Sequence, residues 1–384
     1  MRALATTSKG KTAVSETVSV FEPVSAHFLR HGVLSLHEVH QHVVAKSKRP
    51  EDSEKLVSEL AWRDYFQRCW FHLGDEIWSD VEPWKTGHDA SWYADELPED
   101  IRAGKTGVDY IDSFVRELTD TGYLHNHARM WLAAYVVHAR RVKWQAGAHW
   151  FLELLLDGDE ASNNLSWQWI ASTFSAKPYF FNRDTVLRNS GAGRFQKRDR
   201  KDPFDGTYEQ VSARLFRAAH DAQPARKRID MRVRCAPLTS DALPADLSVA
   251  FVWVHDGMMS PAHPAVLTGA PAVFFWDDLH IAQARHSEGR IAFQRSALFC
   301  PDHHTGSRSL GEALVEHAAQ QKKTVMVTSH TPDPRLQRAI EHVRRHLNVC
   351  LIADTPFVAL SGPVDLSRFS RFWEVARAEL FHKR

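Results

Sequence analysis

The chain has 384 residues and 43% hydrophobic content, enough apolar material for two folded domains. Its 48 basic and 47 acidic side chains nearly cancel, which excludes a general cationic field for nucleic acid and leaves any such contact to a local patch. Cys69, Cys235, Cys300 and Cys350 form no CxxC pair, which excludes a disulfide framework or zinc knuckle and points to a reducing cytoplasm.

Residues 1–21 carry Arg2, Lys9 and Lys11 among Ser, Thr and Ala without an apolar h-region. They read as a disordered N-terminus, not a secretory signal. Over 22–190 apolar residues recur at helical spacing, as in Ile111, Phe114, Val115 and Leu118, or Trp131, Ala134, Tyr135 and His138. An all-helical domain is expected there. From 191 to 245 the pattern weakens and basic clusters appear at 194–201 and 226–234, the texture of a linker with a helix embedded near 208–220.

From 246 to 384 short β-type runs at 249–254, 272–276, 324–327 and 349–352 alternate with helical segments such as 336–347. That alternation predicts a smaller Rossmann-like domain with a parallel sheet. It contains neither GxGxxG nor a P-loop. The histidines at 37–42 and 301–304 lack a partnering carboxylate or cysteine cluster and read as surface residues, so no metal site is expected. No apolar run approaches the roughly 20 residues of a membrane helix.

Three polar clusters stand out in the helical part. In 154–169, LLLDGDEASNNLSWQW, Asp157 and Asp159 lead into an Asn pair and two tryptophans. A helix starting near Asp159 puts Asn163 and Trp167 at i and i+4 on one face; the plainer alternative is that Asp159 only caps a helix of core tryptophans. In TGYLHNHARM, Asn126, Arg129 and Met130 share a face, and Arg129 is placed to pair with Asp157. In ELAWRDYF, Glu59, Trp62 and Arg63 share another. Each alone is an ordinary amphipathic helix with a solvated ion pair.

Together, in this order, and with GKTG at 104–107, these stretches resemble the flavin-binding domain of DNA photolyases and cryptochromes over about 28–181. The resemblance implies a helical fold holding FAD in a bent shape at the bottom of a hole that opens to DNA. It implies Asn163 facing flavin N5, Asp159 accepting hydrogen bonds from the flavin, Asp157 paired with Arg129 beside the ring, and Asn126 and Ser25 also among the cofactor contacts. It implies DNA contacts from Glu59, Trp62, Arg63, His127, Met130 and Trp169, and a tryptophan relay through Trp167, Trp144 and Trp92, with Trp84 as rival to Trp92. The implied activity is light-driven electron transfer from reduced FAD to a cyclobutane pyrimidine dimer in damaged DNA, by a monomer. A photoreceptor without repair uses the same cage, and an antenna chromophore is not legible.

The chain departs from the family in three places. The phosphate-gripping Thr-Ser-x-Leu-Ser-Pro run is replaced by SVFEPVSAHFLRHG, where Ser25 alone supplies a hydroxyl. The arginine that often follows the HN pair is His127, which exchanges a fixed cation for a titratable group. The segment resembling the first strand of the family's α/β antenna domain, VAFVWVHDGMMSP, follows the flavin domain instead of preceding it. A circular permutation would account for that order, since domain termini lie at the surface and often close together; the plainer alternative is an unrelated doubly wound domain.

Overall fold

The computed structural model describes residues 26–47, 49–190, 195, 202–217, 228–306 and 308–382. The expected N-terminal segment 1–21, Ser25, the first basic cluster except Phe195, and Arg226 and Lys227 of the second lie outside them.

The first half is helical. Helix α1 (Leu36–Lys46) starts at Ser35, whose hydroxyl accepts from Glu38 N while Glu38 closes a capping box. Helix α2 (Pro50–Leu73) opens with proline, which is pre-set for a first helical position. Helix α3 (Asp109–Thr121) buries the predicted stripe of Ile111, Phe114, Val115 and Leu118 and stops at Gly122, whose φ of 66° suits glycine. Then come α4 (Asn126–Ala134), α5 (Trp144–Leu154) and α6 (Glu160–Ala171), the last capped by Asp159. Their inward faces join Trp131, Trp144, Trp150 and Trp167 in one core. Helices α7 (Arg183–Asn189) and α8 (Tyr208–Leu215) follow; the second is the helix expected within the linker.

The second half contains a five-stranded parallel sheet in the order β4-β3-β2-β5-β6. The strands are β2 (Ala250–Val254), β3 (Ala272–Phe275), β4 (His303–His304), β5 (Val325–Ser329) and β6 (Asn348–Ile352), so all four predicted runs are found. Every residue of β2 and β5 is buried, as central strands covered on both faces require. Alternate residues feed two cores: Val252, Val254 and Phe274 on one face, and Phe251, Trp253 and Val273 with Leu314 and Ile340 on the other. Helices α9 (Asp278–Gln283), α10 (Glu288–Ala297), α11 (Leu310–Gln320) and α12 (Pro334–Arg344) complete the α/β unit.

The cores do not divide at 245/246. Strand β1 (Arg232–Cys235), inside the expected linker, pairs antiparallel with β7 (Gly362–Asp365), and α13 (Phe369–His382) packs on α2. Leu360, Val364, Leu366, Phe372 and Ala376 are buried with Leu60, Tyr65 and Cys69 of α2, and Tyr65 Oη donates to Leu366 O at 2.8 Å. The chain end therefore shares its apolar core with the helical half rather than with the sheet. At another join Gly32 has φ 61°, and a Cβ on it would lie 2.1 Å from Gly257 O, so only glycine permits that approach.

Candidate functional site

A cavity of about 520 Å³ opens between α2, α4 and α6. Glu59, Trp62 and Arg63 line it from α2, Asn126, Arg129 and Met130 from α4, and Asn163, Trp167 and Trp169 from α6. The three faces read from helical spacing therefore converge on one space. Leu60, Phe66, Ala133, Phe151 and Leu155 make much of the wall apolar, the mixture of apolar surface and few polar groups typical of cofactor pockets.

The loop between α5 and α6 supplies the charge. Arg129 Nη2 donates to both oxygens of Asp157 at 3.1 and 3.0 Å, and its Nε donates to Leu124 O at 2.6 Å. Asp159 caps α6 through Ser162 N at 3.2 Å, accepts from Gln67 Nε2 at 2.8 Å and pairs with Arg63. Asp159 therefore caps α6 and also lines the cavity. Burial pushes its carboxyl up, but Arg63 and then Arg30 outweigh that and hold it below the usual range. Asn163 Nδ2 donates to Ala148 O at 3.0 Å and Asn164 Oδ1 at 3.1 Å, which fixes the amide's orientation.

Trp167 is buried and meets Phe151 edge-on, with ring centroids 4.9 Å apart. Gly147 of α5 makes room for it, since a Cβ there would lie 2.3 Å from Trp167 Cη2. Trp144, also buried, donates from Nε1 to Asp80 Oδ1 at 2.7 Å. Trp84 Nε1 donates to the other oxygen of the same carboxylate at 2.9 Å. Trp92 is 46% exposed, under the guanidiniums of Arg217 and Arg141.

A second cavity of about 740 Å³ lies on the other side of Gly158, where α5 and α6 face α9, α10 and α12. It includes Arg335, which pairs with Asp256, Asp277 and Asp333 beyond the ends of β2 and β5, where a doubly wound sheet reverses its strand order. Arg30 of the helical half reaches Asp256 at 3.3 Å. Burial pushes the Asp256 carboxyl up, and Arg335 with Arg30 reverses this to leave it well below the usual range. Among the described residues the Arg290 guanidinium donates only to the carbonyls of Leu152 and Gly158, at 3.0 and 2.9 Å, and burial with Arg30 nearby pulls it down to about 9.

The family model for the FAD binding domain of DNA photolyase matches residues 56–199, the stretch that holds every one of these cavity-lining α2, α4 and α6 side chains. This stretch is similar to the FAD-binding domain of DNA photolyases. The deoxyribodipyrimidine photo-lyase of Streptomyces griseus is 38% identical over 133 residues, covering 34% of this chain and 28% of its own. That of Thermus thermophilus is 37% identical over 160 residues, covering 40% and 37%. An archaeal photolyase structure from Sulfolobus tokodaii aligns at 29% identity over 41% of this chain and 35% of its own, with a TM-score of 0.34. The chain spans about a third of the length of these relatives.

Within the photolyase-type domain, the cavity gathers Asn126, Arg129, Asp157, Asp159 and Asn163 of the expected flavin contacts. Of the expected DNA contacts it gathers Glu59, Trp62, Arg63, Met130 and Trp169, while exposed His127 lies apart and stacks on Trp131. Trp62 differs from a free stacking platform, because Phe369 of α13 lies on its ring at 3.8 Å and 10°. Gln67, Gly147 and Asp80 escaped the sequence reading. Only Gln67 had a local signal, one turn after Arg63 on α2.

Proposed function

We propose that the chain is a cytoplasmic, FAD-dependent, light-driven enzyme that splits cyclobutane pyrimidine dimers in DNA. The observation that carries this is the convergence of Arg129–Asp157, Asp159–Arg63 and Asn163 on one cavity inside the photolyase FAD-binding stretch. The cavity's size and apolar walls suit a flat ring system, and its fixed cation and oriented amide suit one that carries negative charge when reduced. Asn126, Arg129, Asp157, Asp159 and Asn163 would hold the cofactor. Reduced, light-excited FAD supplies the electron that opens the dimer.

The chain's own groups do the rest. Arg129, held in place by Asp157, would compensate negative charge at the ring without reorganising. Asn163, held by Ala148 O, offers a fixed amide instead of a mobile one. Leu60, Phe66, Phe151 and Leu155 exclude water, which strengthens each electrostatic contact inside. Met130 and Trp169 offer apolar surface to a base flipped from the duplex, a step that costs a few kcal/mol and least for an already distorted pair. Trp167 and Trp144 form the inner part of an electron relay. Among the described residues no helix is long and apolar enough to cross a membrane.

One observation favours a photoreceptor instead: Phe369 occupies a face of Trp62 that a repair enzyme would offer to a base. Chemically reduced protein, illuminated with a dimer-containing oligonucleotide, decides between them. Light-dependent restoration of the pyrimidines supports repair. Reversible flavin colour change with no repair supports the photoreceptor.

A further inference from the structure

We propose that the relay through Trp167 and Trp144 ends at Trp84, and that Asp80 takes up the indole proton there. This deepens the proposed function and rests on it in that Trp167 is the first residue to lose an electron.

Asp80 holds Trp144 Nε1 at 2.7 Å on Oδ1 and Trp84 Nε1 at 2.9 Å on Oδ2, so one carboxylate joins a buried indole to a partly exposed one. An indole that loses an electron becomes a cation whose N–H is strongly acidic. A carboxylate in hydrogen-bond contact stabilises that charge and is placed to accept the proton.

The two rival end points have less favourable electrostatics. Trp92, which the family pattern favours, lies under Arg217 at 4.4 Å and Arg141 at 5.3 Å. Such contacts suit a neutral ring, but two guanidiniums repel a positive hole. Trp78 stacks on Trp144 with centroids 6.3 Å apart at 9°, yet its Nε1 reaches Glu160 Oε2 only at 3.4 Å. Burial, with Asp333 adding to it, pushes the Glu160 carboxyl up to about 7, so near neutral pH that counter-charge is only partly present. Asp80 makes Trp84 the most stable resting place for the hole.

The step balances. The first electron would go from Trp167 to light-excited oxidised FAD; Trp144 then gives an electron to oxidised Trp167, and Trp84 gives one to oxidised Trp144. The Trp84 Nε1–H bond breaks and its proton goes to Asp80 Oδ2, leaving a neutral indolyl radical and a protonated carboxyl. An external thiolate then returns one electron while Asp80 returns the proton, and the thiolate leaves as a thiyl radical.

Transient absorption of the FAD-loaded full chain tests this, because neutral and cationic tryptophan radicals differ in spectrum. Wild type gives a neutral radical whose formation slows in D2O. Trp84→Phe shortens the radical's lifetime by about tenfold or more, whereas Trp92→Phe and Trp78→Phe leave it in place. Asp80→Asn, which keeps the size of the side chain, leaves the radical cationic and removes the isotope effect. In flavin-free protein, the same substitution shifts the indole N–H resonances of both Trp84 and Trp144. The proposal is overturned if Trp92→Phe or Trp78→Phe shortens the lifetime instead, or if Asp80→Asn still forms a neutral radical at the wild-type rate. No tryptophan radical in FAD-loaded wild type overturns the relay itself; a radical that rests elsewhere overturns only its end point.

Discussion

The two cavities that meet at Gly158 differ in how their charges are satisfied. On the flavin side each cation has its carboxylate, Arg129 with Asp157 and Arg63 with Asp159. On the seam side Arg335 and Arg30 are paired as well, but the Arg290 guanidinium donates only to carbonyls among the described residues, Glu160 is pushed up by burial, and burial together with Arg290 pulls His286 down to about 2. A site of paired charges keeps its shape across pH and is suited to hold a charged cofactor; one with uncompensated charge responds to protons. The contrast places the fold's pH sensitivity in the seam, the sheet and the buried His138 of the helical core, and not in the paired charges of the flavin cage.

Acid gives the largest expected effect. Burial pulls His31 down to about 3, His255 to about 4 and His138 to about 4, so all three are neutral in the fold. A histidine with a lowered folded value contributes its full stability above the unfolded value near 6.5 and loses it as pH falls toward 3 or 4. At pH 5 each would then have lost up to roughly 2 kcal/mol. Glu160 works the other way, because its raised value favours the fold below about 4.5 and that benefit disappears as pH rises through about 7. Urea unfolding at pH 7, 6 and 5 should show falling stability, and Glu160→Gln should steepen the fall. A flat profile would place these histidines in water.

Next in size, Asp159→Asn leaves Arg63 without its carboxylate and weakens the α6 cap, for an expected loss of roughly 3 to 5 kcal/mol. Wild-type unfolding in that variant would mean that the flavin-side charges are not a paired unit. Gly147→Ala should cost less, about 1 to 3 kcal/mol for overpacking against Trp167. Because it displaces that indole, it should also slow photoreduction with FAD still bound; unchanged photoreduction would detach Trp167 from the relay.

Much of the site was legible because its members sit one helical turn apart. Asn126, Arg129 and Met130 on α4, and Glu59, Trp62 and Arg63 on α2, could be grouped from spacing alone. The Arg129–Asp157 pair was legible because opposite charges flanked two such helices. Contacts between distant segments left no such mark. Phe369 meets Trp62 across 307 positions, and β1 meets β7 across about 130, so the sequence marks neither α13 on the helical half nor the pairing of a linker strand with β7. Asp80 carried no signal either, since its role depends on two indoles arriving from different elements.

The central claim is that the cavity between α2, α4 and α6 holds FAD through its paired charges, and titrating FAD into the full chain tests it most directly. Fluorescence or absorption should report saturation at one flavin per chain, with Kd raised about tenfold or more in Asp157→Ala and in Arg129→Ala, as expected when a hydrogen bond to a charged group is lost. Equal Kd in wild type and both variants, in protein that remains folded, would contradict the account and place the flavin elsewhere.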